Sequence, residues 1–141
     1  MPTCHPAWLR SVSVDAQEHD TEPGPIYESV GEFVENYLSL VYRRNVTGGQ
    51  RVWCPRWWMH AEAVLRLEAV WRAWEYLRLD SKTGMSTWLL DHADPHMAVL
   101  FDRHGPFEYC SVEKGHADTM KPLSLVAIPP NVFSPDTASD A

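Results

Sequence analysis

The chain has 141 residues, 45% of them hydrophobic and 22% charged, with a formal charge of −7. That is enough for one domain with a modest core and too little for two, and the composition excludes a wholly disordered protein. The acidic balance argues against a protein that coats nucleic acid, and no apolar run approaches the roughly 20 residues a membrane helix needs.

Residues 1–25 read as an acidic tail without apolar periodicity, closed by Pro23, Gly24 and Pro25. The run Cys4-His5-Pro6-Ala7-Trp8 inside it is taken as part of that extension. The globular domain is expected over residues 26–128, and the Pro/Ser/Asp-rich residues 129–141 read as a flexible C-terminal tail.

A first helix is expected from Ser29, where Ser29 and Glu32 have the spacing of a capping box. Val30, Phe33, Val34, Tyr37, Leu38 and Val41 then fall on one apolar face. Arg43 and Arg44 suit its negative C-terminal end, and Asn45 to Gly49 stops it.

A second, longer helix is predicted from about Ala61 to Leu79, with Ala63, Leu67, Val70, Trp74 and Leu77 as its stripe, flanked by Val64 and Trp71. Glu62–Arg66 and Glu68–Arg72 are i, i+4 pairs worth roughly a few tenths of a kcal/mol each.

From Thr83 to Cys110 two accounts compete. Asp94-Pro95 has the form of an N-cap with proline at N1, starting a short helix through Met97, Val99, Leu100 and Phe101. Alternatively, Ala93 to Pro95 turns a β-hairpin; the helix is the preferred reading. Arg103 to Pro106 is a turn either way. The fold class is therefore mainly α: two main amphipathic helices with short helices or a small hairpin.

The chemistry-bearing residues concentrate in three places. Cys54 and His60 are separated by five residues, and so are Cys110 and His116. Two such arms could converge on one Cys2His2 tetrahedron, a closed, structural zinc site that would staple the domain. The alternative is two buried free cysteines beside two ordinary histidines. Three cysteines are too few for a disulfide framework, and with no signal-peptide apolar core after Met1 a cytoplasmic location is expected.

The run Asp91-His92-Ala93-Asp94-Pro95-His96 is dense in carboxylate and imidazole. His92 and His96 are alternative metal ligands, and a metal-dependent hydrolase could use the segment, but Pro95 breaks the i, i+4 register. The blander reading makes Asp94 a cap.

Trp53, Arg56, Trp57 and Trp58 interleave aromatic and basic residues and form a candidate partner-binding patch. Residues 51–78 carry five arginines against three glutamates, whereas the remainder carries seven Lys/Arg against sixteen Asp/Glu. A protein partner is therefore expected over DNA. No phosphate-binding glycine loop or nucleophile elbow is present, so no catalytic residues are assigned.

Trp53-Cys54-Pro55-Arg56-Trp57-Trp58, the run Arg66 to Glu75, Gly84-Met85-Ser86, Trp88, Asp91 to Met97 and Gly105-Pro106-Phe107 before Cys110 resemble an uncharacterised actinobacterial family, the domain of unknown function DUF4913. The resemblance covers about Ser29 to Pro130. It implies a gene of plasmids, phages or integrative conjugative elements, and it implies no activity. The expected function is a non-enzymatic accessory protein of such an element that binds a partner protein, with one structural zinc. A DNA-binding factor in transfer or replication, and the hydrolase above, are the alternatives.

Overall fold

The computed structural model describes residues 23–133. The expectations for residues 1–22, including the Cys4 to Trp8 run, and for residues 134–141 lie outside the described residues.

Helix α1 spans residues 30–41 as Val30–Phe33, a π-helical turn Val34–Leu38 and a last turn Ser39–Val41. Ser29 Oγ accepts from the Glu32 N–H at 3.1 Å. The Glu32 carboxylate reaches back to the N–H of Glu28, one residue before the expected partner. Phe33, Val34, Tyr37 and Leu38 are buried as the period requires, with Val30 and Val41 packed against their edge. Arg43 Nε donates to the Leu40 carbonyl, satisfying one of the last orphan acceptors of the helix.

Helix α2 is Ala61–Leu77. Ala63, Leu67, Val70 and Trp74 are its buried stripe. The Glu62–Arg66 pair forms at 2.8 Å. Glu68 and Arg72 do not pair; the Arg72 guanidinium lies over the Trp71 ring instead, 5.9 Å from its centroid.

Helix α3 spans residues 84–101 without interruption: Gly84–Thr87, a π-helical segment Trp88–Ala93, then Asp94–Phe101. The preferred helix is thus present and the hairpin is not. Asp94 is not an N-cap, however, because it has helical dihedrals and its N–H bonds to Leu89 O, five residues back. The wider turn lets the chain run into Pro95, which has no N–H to give and whose ring would crowd a regular turn. The Asp94 carboxylate is left free for Tyr42, whose hydroxyl donates to it at 2.6 Å.

The three helices close around an aromatic cluster of Tyr27, Phe33, Tyr37, Trp74 and Trp88, with centroids 4.6–6.5 Å apart. Trp88 Nε1–H donates to the Val70 carbonyl at 3.0 Å, so its one polar atom is satisfied in the core. Glu75 on α2 accepts the N–H groups of Ile26 and Tyr27, each at 3.0 Å, and Arg78 holds both Glu75 and the Gly24 carbonyl. The entry to α1 is pinned to α2 by those bonds.

After α3 the chain turns at residues 103–109, buries Phe107 and reaches Cys110. Only two isolated bridges, Arg51 with Asp102 and Ser111 with Gly115, provide β-type pairing among the described residues. Among the described residues, Ala117 is the last that packs on the core. Residues 118–133 are all exposed and carry no helix or strand.

Candidate metal centre

Each Cys-x5-His arm is folded by its own local turn. In the first, residues 55–59 form turns that end in a single 3-10 turn, Trp57–Met59. Met59 N–H donates to Arg56 O and His60 N–H to Trp57 O, which returns the chain toward Cys54. His60 occupies the N-cap position of α2 with extended dihedrals and makes no capping bond with its side chain. Its carbonyl starts the helix while the imidazole is turned to the cysteines.

The second arm is a tight turn in which Ser111 and Gly115 exchange backbone hydrogen bonds of 3.2 and 2.8 Å. Gly115 has φ +83°, a conformation glycine adopts at little cost. Cys110 and His116 flank that bridge and therefore face one another.

The two arms converge. His116 Nδ1 lies 3.1 Å from His60 Nε2, 3.3 Å from Cys54 Sγ and 3.9 Å from Cys110 Sγ. Cys110 Sγ is 3.5 Å from His60 Nε2. All four ligand atoms lie within 4.8 Å of one another. A tetrahedron with Zn–S of about 2.3 Å and Zn–N of about 2.0–2.1 Å has edges of about 3.6 Å between S and N and about 3.3 Å between two N. The observed S–N spacings of 3.3–3.9 Å and the N–N spacing of 3.1 Å lie within a few tenths of an ångström of those edges, so the four residues form a group that could hold a metal ion.

Both cysteines are buried and free. Burial pushes the Cys54 thiol up to about 11, a backbone hydrogen bond with Arg56 works against this, and neighbouring Cys110 adds to the rise. Cys110 Sγ accepts the Ala117 N–H at 3.3 Å. Burial lowers His60 below the usual histidine range, and His116 beside it adds to the effect against an opposing pull from Asp118. The neutral form of the His60 imidazole is thereby favoured, the form that ligates metal. The Phe107 ring meets the His60 ring edge to face at 4.9 Å and fixes its plane.

His92 and His96 are not part of this group. Arg66 Nη1 lies 3.1 Å from His96 Nδ1, Asp94 is taken by Tyr42, and Asp91 is exposed. The Asp91 to His96 segment forms no metal-ligating group among the described residues. The guanidinium beside His96 repels a cation.

The Trp53 to Trp58 patch divides. Trp57 is buried, Trp53 packs on Phe101 and Phe107 with centroids 5.9 and 5.2 Å away, and Trp58 remains 57% exposed beside exposed Arg56. Trp53, Pro55, Trp57 and Trp58 share an open groove of about 520 Å³ with Leu38, Tyr42 and Phe101, rimmed by Arg43 and Arg44. Sequence reasoning missed the supports of the site, namely Phe107, the Ala117 N–H and the Ser111–Gly115 turn. Gly115 next to His116 was the available signal for the last of these.

Fold and site define a small all-helical domain carrying a preformed Cys2His2 group. The chain belongs to the family described as "Domain of unknown function (DUF4913)", whose model matches residues 27–129. No curated protein and no solved structure matches the chain. No helix among the described residues is long and apolar enough to cross a membrane.

Proposed function

We propose that this chain is a non-enzymatic interaction domain stapled by one zinc ion at Cys54, His60, Cys110 and His116. The observation that carries the reading is the convergence of four soft and borderline ligands at tetrahedral spacing. Two thiolates and two imidazoles fill the coordination sphere and leave no position for a substrate, so the ion is structural. The staple ties the segment before α2 to the segment after α3 and compensates for a small core.

The interaction surface is the groove along Trp53, Trp57 and Trp58, with Arg56 beside it. A protein partner suits an apolar, aromatic groove on a chain of charge −7 better than DNA does. The setting is the one the family resemblance implies, an accessory role in the cytoplasm for an actinobacterial plasmid, phage or integrative element.

Elemental analysis of the purified full chain tests the staple. One zinc per chain is expected, and its removal by a chelator should abolish the cooperative thermal transition followed by circular dichroism. A chain that purifies without metal, takes up none from added zinc and melts unchanged would overturn the reading.

A further inference from the structure

Beyond Ala117 the chain carries an arm whose large apolar side chains are exposed. Leu123, Leu125, Val126 and Phe133 are 82–91% exposed, and Ile128 and Val132 are more than half exposed. Pro122, Pro129 and Pro130 punctuate the segment and disfavour helix. Monomeric proteins seldom expose a continuous apolar surface beyond a few hundred Å². Six such side chains offer on the order of 800 Å² per arm, the share one partner contributes to an interface of standard size.

The same chain carries a receptor of matching chemistry. The groove beside α1 is lined by Val34, Leu38, Tyr42, Trp53, Trp57 and Trp58 among others, and no residue of the arm lines it. Extended, proline-containing segments dock in aromatic-lined grooves of this kind. Charge agrees with this pairing. The rim holds Arg43 and Arg44 against one Glu35, and the residues that follow the arm in sequence include Asp136 and Asp140.

We infer that the arm of residues 118–133 docks in the groove of a second copy of this chain, so that two copies exchange arms about a two-fold axis. The inference rests on the interaction-domain reading and names its partner as the chain itself. A reciprocal exchange uses each surface once per copy and closes the assembly at two, with no free arm or groove left to extend it.

The test uses the full chain loaded with zinc, with mass measured by light scattering on a sizing column. The wild-type chain should be a dimer. Leu123→Asp/Leu125→Asp, on the exposed arm, and Trp58→Asp, on the groove, should each give monomers that keep their helical spectrum. Mixing the two variants should restore a dimer, because one intact arm and one intact groove remain to pair. A monomeric wild-type chain overturns the exchange, including one whose arm resists proteolysis by lying in its own groove. A dimer indifferent to either variant overturns it too. Zinc content and melting are read on the same samples, so loss of the dimer with the metal and fold intact leaves the stapled domain standing.

Discussion

Cys54 Sγ and His116 Nδ1 are 3.3 Å apart although 62 positions separate them in the chain. Each belongs to an arm whose local turn already pairs a cysteine with a histidine, so the long-range contact joins two preformed halves. Bringing the halves together is the costly step, and coordination of the proposed zinc would offset it.

Cys54→Ser and Cys110→Ser should each reduce bound zinc from one per chain to near none, because a serine hydroxyl is a poor substitute for thiolate. His104→Ala removes an exposed histidine that is not one of the four ligands and should leave the metal in place. Cobalt offers a second readout. The wild-type chain should show the intense visible bands of a tetrahedral thiolate site, and the serine variants should lose them.

Gly84 begins α3 where a Cβ would run into the Leu77 carbonyl at the end of α2. On propensity alone Gly84→Ala should stabilise a helix by about 1 kcal/mol. The close approach reverses the sign, and a loss of about 1–3 kcal/mol is expected in urea unfolding. A stabilised variant would show that α2 and α3 can separate without cost at this corner.

Glu75 is only 12% exposed at its side chain and holds Ile26, Tyr27 and Arg78. Glu75→Ala should cost about 2 kcal/mol, as expected for lost hydrogen bonds to a charged acceptor. It should also speed proteolytic cleavage ahead of α1. Unchanged cleavage would mean that the aromatic contacts of Tyr27 alone hold the segment.

Tyr42 is raised to about 12, first by burial and then by its hydrogen bond to Asp94, whose charge disfavours the phenolate; Arg44 over the ring opposes both. Between pH 10 and 12 the folded chain therefore binds more protons here than the unfolded chain. The resulting stability is fully present below pH 10 and declines as pH rises toward 12. Tyr42→Phe should flatten that part of the stability profile and remove the highest-pH tyrosinate transition seen in absorbance. An unchanged profile would refute the assignment.

How far the sequence spoke varies by element. The stripes of α1 and α2 were legible because both helices bury one face, and a 3.6-residue period records that directly. Cys54, His60, Cys110 and His116 were legible because the spacing is duplicated. The π turns at Val34–Leu38 and Trp88–Ala93 were not, since one inserted residue shifts hydrogen bonds without disturbing which residues are apolar. Asp94 looked like a cap because its composition is that of one, and only the tertiary contact with Tyr42 reveals its use.

The ring closed by Cys54 and His116 encloses α2 and α3 but leaves α1 outside it. With the proposed zinc bound, mechanical load applied at the N-terminal end would therefore peel α1 away first, while the latched α2–α3 unit would resist until the metal–sulfur bonds gave way.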